Sequence, residues 1–234
     1  MALFGIAFQS VYALAPTSQL FGDFSPAYQV VKVNEGGYAN IPGDRGQETY
    51  AGISRRYYPE WEGWPIIDAK KYRYAGNIIP INTKFSDMNF LVERFYKKMW
   101  DSGRFGEVNN QALANLLFDY RVHSGNLAVK AVQNILHLPA DGVLGPVTLA
   151  AINKADGAQL HDSLKAQRIA FLNSLADSDP SQEQFRSGWL ARLSKFPDLV
   201  SPVGITGVLL FLGIIGVGYY LTTGHNSAKR LAKR

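Results

Sequence analysis

The residues with the clearest capacity for chemistry lie in a glycine-rich segment near the N-terminus. Glu35 stands at the predicted end of a helix, directly before Gly36 and Gly37, and Asp44 follows nine residues later. The partial negative charge of a helix C-terminus raises the pKa of a carboxyl group such as that of Glu35. We expect the two glycines to take positive φ, so that the chain turns sharply and Glu35 faces a cleft. A protonated carboxyl is a general acid, and two carboxyl groups across a turn can hydrolyse a glycosidic bond.

Acidic residues beside glycine turns are usually solvated, so this spacing alone does not decide the function. The sequence of residues 34–54, NEGGYANIPGDRGQETYAGIS, resembles the N-terminal signature of the glycoside hydrolase family 108 muramidases, which are lysozyme-like. Residues 113–125, LANLLFDYRVHSG, resemble a helix motif of that family. Residues 131–153, AVQNILHLPADGVLGPVTLAAIN, resemble its C-terminal peptidoglycan-binding subdomain, and residues 186–193, RSGWLARL, resemble the usual end of the domain. The resemblance extends over residues 24–196.

This resemblance implies a role for each matched residue. Glu35 would protonate the bridging oxygen between N-acetylmuramic acid and N-acetylglucosamine. Asp44 and Thr49 would position a water molecule or stabilise an oxocarbenium-like transition state. The substrate-binding residues would be Tyr38, Glu48, Tyr50, Asp119 and His123. For Asp119, which lies on an otherwise apolar helix, the residue context favours a buried hydrogen-bonding role over a catalytic one.

Three positions depart from the pattern of the family. Gln47 replaces a glycine, Ala51 replaces an aromatic residue before Gly52, and His123 replaces an asparagine. The first two lie beside the expected cleft, where they could reduce activity or shift the substrate preference. None of the three removes Glu35, so catalysis remains the expectation.

The elements that must position these residues are mostly helical. Apolar residues near helical spacing predict a helix over residues 24–34 that ends at the glycine pair. The turn-rich residues 38–57 predict short strands or loops. A further helix is predicted from a cap at Ser86 or Asp87 to Trp100. Its expected buried face consists of Phe90, Leu91, Phe95 and Met99.

Residues 58–85 give no clear secondary-structure signal, whereas the chain after residue 110 is predicted to be helical. Residues 58–85 are rich in aromatic residues without a clear period, and Tyr57, Tyr58, Trp61 and Trp64 could stack on sugar rings or pack in the core. Downstream, helices are predicted over 111–123, 127–138, 158–175 and 181–194, and Pro146 is placed to begin another.

The composition excludes several other classes of site. The chain has no cysteine, which excludes thiol nucleophiles and iron–sulfur clusters, and its four histidines show no metal-ligand spacing. The net charge of +5 comes mainly from the last six residues, which hold four of the 24 basic side chains. A nucleic-acid groove is therefore not indicated. We expect no metal, no cofactor and no nucleic-acid partner.

An apolar segment lies near each end of the chain. The uncharged run over residues 203–221, VGITGVLLFLGIIGVGYYL, predicts a single transmembrane helix, with a buried core helix as the alternative. The basic tail, 222–234, is expected on the inner side of that membrane, with the catalytic domain on the wall-facing side. Residues 1–20 predict an apolar arm that packs on a partner or membrane, with a poor signal peptide as the alternative.

Together these patterns predict a mainly α chain with a lysozyme-like α+β fold. A catalytic domain with a small irregular β patch is expected over residues 21–125, a helical peptidoglycan-binding subdomain over 126–196, and a single transmembrane helix after them.

Three classes of function follow from this organisation. The first is a membrane-anchored muramidase that cleaves the β-1,4 bond of peptidoglycan strands, carried in the inner membrane of a membrane-containing phage particle or in a bacterial inner membrane. A lytic transglycosylase is its close chemical variant. The second is a non-catalytic module that binds cell-wall glycan. The third is a structural component docked to capsid or envelope proteins, or to a secretion apparatus.

Overall fold

The computed structural model of the protein describes residues 22–40 and 48–200, which fold into eight α-helices and one small sheet. The predicted fold class is confirmed for this part of the chain, which is mainly helical with a three-stranded β patch. The elements are α1 (Phe24–Asn34), β1 (Tyr38–Ala39), β2 (Thr49–Tyr50), β3 (Ile53–Ser54), α2 (Trp64–Lys71), α3 (Asn89–Ser102), α4 (Gln111–Ser124), α5 (Leu127–Ile135), α6 (Pro146–Lys154), α7 (Gly157–Ser178) and α8 (Glu183–Leu193).

Helix α1 has the bounds that its sequence predicts, and it delivers the chain to Glu35. The Asp23 side chain accepts a hydrogen bond from the backbone N–H of Ser25 at 2.9 Å, which satisfies one of the free donors at the helix start. Ala27 and Val31 are buried one turn apart. The helix ends where the N–H of Glu35 donates to the Val31 carbonyl oxygen at 3.0 Å.

The three strands form an antiparallel sheet in the order β1-β2-β3, which confirms the predicted β patch. Tyr50 in β2 lies opposite both Tyr38 in β1 and Ile53 in β3. Ala51 and Gly52 connect β2 to β3 with φ values of 47° and 77°. Positive φ at both central residues is what a tight hairpin turn of type I′ requires, because its twist matches that of the strands.

Helix α4 lies at the centre of the molecule, packed against α1, α5 and α7. Eight of its residues are buried, and they cover most of its circumference. Asn110 caps its first turn by accepting from the N–H of Leu113 at 2.9 Å. Residues on α4 can therefore contact both the first helix, α1, and the C-terminal helix α7.

Helix α3 buries a different face from the predicted one. The buried stripe consists of Val92, Tyr96 and Trp100, and Phe90 is 67% exposed. The remaining predicted residues, Leu91, Phe95 and Met99, are only partly buried. Two adjacent stripes of this helix are apolar, and packing selects the one whose large rings reach α1 and α4: the Trp100 ring lies 5.1 Å from that of Phe118.

The start of α3 also differs from its prediction, and one helix has no counterpart in the predictions. Residues 86–88 form a short 3₁₀ turn, and no side chain caps α3. Helix α2 lies within residues 58–85, where the sequence shows no helical period. Because the helix is short and buries only Trp64 and Ile67, it leaves no repeating apolar pattern in the sequence.

The C-terminal helices follow the predicted order. Pro146 begins α6 as expected, and the Asp156 side chain caps α7 by accepting from two backbone N–H groups. Helix α5 ends at Ile135, three residues before its predicted end, and α7 continues to Ser178, beyond its predicted end.

Several predicted features lie outside the described residues: the apolar arm over 1–20, Asp44, the transmembrane helix over 203–221 and the basic tail. Within residues 22–40 and 48–200, no helix has both the length and the apolar character needed to cross a bilayer.

Candidate active site

The Glu35 carboxyl group is largely withdrawn from water at the end of α1. Its side chain is 17% exposed. Burial raises the pKa of Glu35, and the negative charge of Asp119 raises it further, whereas Arg192 acts in the opposite direction. The net direction is upward, which favours the protonated form that a general acid needs.

The β2–β3 turn packs directly against this carboxyl group. A Cβ atom on Gly52 would lie 2.2 Å from Oε2 of Glu35, so only glycine fits there. Tyr96 is buried beneath the turn, and its hydroxyl donates to the Ala51 carbonyl oxygen at 2.8 Å. The turn and α3 together form one wall of the site.

The glycine pair after Glu35 acts differently from the prediction. Neither Gly36 nor Gly37 is among the residues with positive φ. Gly37 is required for space instead, because a Cβ atom there would lie 2.5 Å from the backbone oxygens of Asn82 and Thr83. The close approach of two backbones, rather than a left-handed turn, explains this glycine.

Arg192 of α8 reaches the Glu35 carboxyl group from the far end of the chain. Its Nη1 lies 3.1 Å from Oε1 of Glu35. The same guanidinium contacts Asp119, with Nη2 at 2.8 Å from Oδ1 and Nε at 3.1 Å from Oδ2. Arg192 therefore bridges two carboxylates.

Asp119 is fully buried beneath Glu35, so the structure gives no support to its predicted contact with substrate. Its carboxylate accepts from Nη1 of Arg168 at 2.9 Å and from Nδ2 of Asn34 at 3.1 Å, in addition to its contacts with Arg192. Burial alone would raise the pKa of Asp119, but the two guanidinium groups hold it below its usual value. Asp119 therefore has the buried hydrogen-bonding role that its sequence context favours.

His123 lies half-buried on α4, close to the same charges. Its Nδ1 is 3.1 Å from the hydroxyl of Ser124. Burial lowers the pKa of His123 to about 3, and the positive charges of Arg168 and Arg192 contribute to the shift. The ring is therefore neutral at physiological pH, and its contact with substrate stays a prediction.

Three further residues predicted to bind substrate are buried in the structure. Tyr38 and Tyr50 are each 3% exposed, and Phe85 stacks on the Tyr50 ring at 5.8 Å. Glu48 forms ion pairs with Arg55 and Lys71 at 2.8 Å each. These side chains hold the sheet against its neighbours. The substrate contacts of Tyr38, Tyr50 and Glu48 stay predictions.

The remaining two predicted catalytic residues are not settled by the geometry. Thr49 is half-buried in β2, where it pairs with Ala39 and Ser54. Asp44 lies outside the described residues. The roles of Thr49 and Asp44 stay predictions.

The aromatic residues near α2 divide into two groups. Trp61 and Trp64 are buried and pack edge to face at 5.0 Å, so they belong to the core. Tyr57 and Tyr58 are 42% and 41% exposed, and they line a shallow groove of about 370 Å³ together with Lys98. Of the four aromatic residues that the sequence singles out here, Tyr57 and Tyr58 have the exposed rings on which a sugar could stack.

No cluster of three or more histidine, aspartate or glutamate side chains within residues 22–40 and 48–200 is arranged to hold a metal ion.

Two family models match the chain in succession. Residues 28–125 match the model described as "Glycosyl hydrolase 108", and Glu35 lies near the start of this match. The protein is a glycoside hydrolase of the lysozyme type. Residues 127–194 of the hydrolase match the model described as "Predicted Peptidoglycan domain". The combination indicates a peptidoglycan hydrolase of the muramidase type, with peptidoglycan as its partner.

The hydrolase is also similar to a solved structure, titled "Structure of Brucella abortus SagA". The sequence identity is 26% and the TM-score is 0.56. The likeness covers 74% of this chain and 90% of that chain. No curated protein sequence matches the hydrolase significantly.

The geometry joins the two matched regions at the active site. Glu35 and Asp119 lie in the hydrolase match, whereas Arg168 and Arg192 lie in the peptidoglycan-domain match. Neither arginine is identified as a site residue by the sequence, although Arg192 stands in the motif RSGWLARL. Tyr96 is also missed, because one tyrosine in an amphipathic helix carries no distinguishing signal.

Proposed function

We propose that the hydrolase cleaves the β-1,4 bond between N-acetylmuramic acid and N-acetylglucosamine, with Glu35 as the general acid. One observation carries this proposal: a carboxyl group whose pKa is raised by burial stands at the end of α1, within the glycosyl hydrolase 108 match. Glu35 donates its proton to the bridging oxygen as the C–O bond breaks, and positive charge develops on the sugar ring.

The group that completes the reaction is proposed to come from the segment after β1. Asp44 activates a water molecule or stabilises the oxocarbenium-like transition state, and Thr49 helps to position that water. The distance between the Glu35 and Asp44 carboxyl groups would determine whether the configuration at the anomeric carbon is inverted or retained.

A lytic transglycosylase is the second candidate, and one observation favours it. Asp119 and Glu48, the two predicted site carboxylates other than Glu35 within the described residues, are both engaged in ion pairs. Their ion pairs with basic side chains make both residues poor candidates for a second catalytic group. In a transglycosylase the 6-hydroxyl of the sugar attacks instead, and Glu35 serves as both acid and base.

Degradation of isolated peptidoglycan tests the proposal. We expect Glu35→Gln to lower the rate by orders of magnitude, because the amide cannot donate the required proton. Glu107→Gln, which alters a surface ion pair with Arg104, is the matched control and is expected to retain full activity. Mass spectrometry of the fragments separates hydrolysis, which leaves reducing ends, from transglycosylation, which leaves anhydro-sugar ends.

Two results would contradict this assignment. Full activity of Glu35→Gln would exclude Glu35 as the acid. If the native chain bound peptidoglycan in a pull-down assay and released no fragment, the protein would be a non-catalytic binding module.

We also propose that the hydrolase is membrane-anchored through residues 203–221, with the basic tail on the inner side and the catalytic domain facing the wall. The uncharged run and the basic residues that follow it support this proposal. Flotation of the full chain with lipid vesicles, compared with a chain ending at residue 200, tests it: equal flotation of both would contradict the anchor.

The cellular setting that we propose is a membrane-containing phage particle, in which capsid or envelope proteins would hold the anchored enzyme. The apolar sequence of residues 1–20 and the uncharged run over residues 203–221 support this setting. Detection of the protein in purified particles is the expected result, and its restriction to bacterial membranes would contradict it.

A further inference from the structure

The Glu35 carboxyl group has two oxygens in different surroundings. Oε1 lies 3.1 Å from Nη1 of Arg192. Oε2 faces the backbone of Gly52, in the space that a Cβ atom would fill. The two oxygens are therefore not interchangeable.

This difference bears on where a proton can reside. A guanidinium group donates hydrogen bonds and does not lose its protons in proteins. An oxygen that accepts from Arg192 is therefore the poorer site for the acidic proton of Glu35. The proton belongs on Oε2, on the side of the β2–β3 turn.

Arg192 itself is held in place by buried charge. Its side chain is 12% exposed, and Asp119, which fixes its Nε and Nη2 atoms, is fully buried. Asp119 is held in turn by Arg168, which is also fully buried and lies over the Tyr120 ring at 4.5 Å. Arg192 thus has little freedom to swing away from Glu35.

A second contact ties the same helix end to the C-terminal region. Lys195 hydrogen-bonds through Nζ to Oδ1 of Asn34, the last residue of α1, while Nδ2 of Asn34 donates to Asp119. The chain following α8 therefore holds the residue before Glu35, as Arg192 holds Glu35 itself.

We propose that Arg192 is a positioning residue for catalysis: it fixes Oε1 of Glu35 so that Oε2 carries the proton to the glycosidic oxygen. This inference rests on the proposed function of Glu35 as the acid. It gives the peptidoglycan-domain region a part in the reaction, because Arg192 lies within that match. Glu35 and Arg192 are separated by 157 residues of sequence, so a helix from the C-terminal region completes the active site.

The charges around Glu35 determine what the loss of Arg192 would do. Arg192 from α8 lowers the pKa of Glu35 and Asp119 from α4 raises it. Tyr96 from α3 is neutral, because burial holds the pKa of its hydroxyl well above the usual value. His123 is neutral as well. Without Arg192, the pKa of Glu35 would rise further, and the acid would stay protonated to higher pH.

The experiment compares three variants of the full chain, with kcat and KM measured on soluble peptidoglycan strands across pH. Arg192→Met removes the charge and the hydrogen bond, and Arg192→Lys keeps the charge without the forked geometry. Arg186→Met is the matched control: Arg186 also lies on α8, but it pairs with Glu183 and Asp177.

We expect Arg192→Met to lower kcat by about 10- to 100-fold with little change in KM, because the acid is present but misplaced. The alkaline limb of its pH profile should move to higher pH. Arg192→Lys should bring the limb back towards that of the native enzyme and leave kcat low. Arg186→Met should match the native enzyme in all three quantities.

The Arg192→Met variant is expected to fold, because Asp119 keeps Arg168 as its partner. Thermal unfolding checks this, and titration of the ¹³C-labelled Glu35 carboxyl group reports the same shift without any turnover. If Arg192→Met changed only the melting temperature, or if Arg192→Lys recovered full kcat, the positioning role would be overturned.

Glu35→Gln in the same assay separates the two proposals. If Glu35→Gln is inactive and Arg192→Met behaves like the control Arg186→Met, only the role of Arg192 is overturned. An active Glu35→Gln would overturn the proposed function of Glu35, and the role of Arg192 with it.

Discussion

Around the Glu35 carboxyl group, uncharged residues limit the space and charged residues set the protonation. Gly52 brings a backbone against Oε2, and Tyr96 supports that backbone from below. Arg192 and Asp119 act on the carboxyl group with opposite sign. Substitutions at these positions should therefore separate steric effects from electrostatic ones.

Gly52→Ala is expected to impair both stability and activity. The new methyl group would collide with Oε2 of Glu35, and the residue would keep a φ near 77°. The conformational cost alone is about 1–2 kcal/mol. Gly188→Ala on α8, where a Cβ atom meets nothing within 4 Å, should instead stabilise the chain by about 0.5–1 kcal/mol. Chemical denaturation and a wall-degradation assay check both, and normal activity of Gly52→Ala would contradict the geometry.

His123 should make stability depend on pH below neutrality. Its folded pKa of about 3 lies below the ordinary value of 6.5, so the unfolded chain binds a proton first as the pH falls. The contribution of His123 to the free energy of unfolding is complete above pH 6.5. It is lost as the pH falls towards 3, by up to about 1.4 kcal/mol per pH unit. His123→Asn, the residue usual in the family, should flatten this dependence in urea unfolding from pH 7 to 4. An equal slope in both proteins would show that the ring is not shielded.

Asp119→Asn should be strongly destabilising. It would leave Arg168 fully buried without its carboxylate partner. Loss of one partner of a buried ion pair typically costs about 3–5 kcal/mol. Asp198→Asn, which alters the exposed pair with Lys165, is the control and should leave the free energy of unfolding unchanged within error. Similar unfolding midpoints for the two variants would contradict the structural role of Asp119.

At the scale of elements, short connections determine which side chains meet. The β2–β3 turn places Gly52 on Glu35, and the turn between α5 and α6 is organised by Gln133. The buried amide of Gln133 donates to Asp141 at 2.6 Å and to Thr148 at 3.0 Å, and it accepts from the N–H of Gly142 at 2.9 Å. The side chain of Gln133 therefore stabilises the connection between α5 and α6 through its own hydrogen bonds.

Gln133→Leu should therefore destabilise the α5–α6 region. The substitution leaves the N–H of Gly142 and the hydroxyl of Thr148 without this partner, at a cost of about 1–3 kcal/mol for each group that stays unsatisfied. Amide exchange should accelerate over residues 141–148 more than in α1. Uniform acceleration across the chain would instead indicate that the whole molecule opens at once.

At the scale of the whole molecule, the two matched regions share one core. Helix α4 belongs to the hydrolase match, yet it packs against α5 and α7 of the peptidoglycan-domain match as well as against α1. The buried Asp119–Arg168 pair crosses the same boundary. The regions are distinct in sequence but not in packing.

A fragment comprising residues 22–126 is therefore expected not to fold. It would expose the α4 face that α7 covers, and Asp119 would lose both arginine partners. The full chain should show a single cooperative transition in calorimetry. A fragment with a native near-ultraviolet circular dichroism spectrum and wall-degrading activity would contradict this expectation.

Local patterns in the sequence determined most of the helices and the position of the Glu35 carboxyl group. Apolar spacing sets the bounds of α1, Pro146 marks the start of α6, and the glycine-rich motif places Glu35 at a helix end. These features depend on neighbours within a few residues, so they can be read from the chain itself. The family motifs add the class of reaction.

Only the tertiary structure decided which side chains surround that acid. It buried Tyr38, Tyr50 and Glu48, which the motif placed at the substrate, and it selected the Tyr96 stripe of α3 over its apolar neighbour. It also brought Arg192 to Glu35 across 157 residues of sequence. Burial and ion pairing depend on contacts between distant elements, and a local motif carries no information on which of its polar residues another helix will cover.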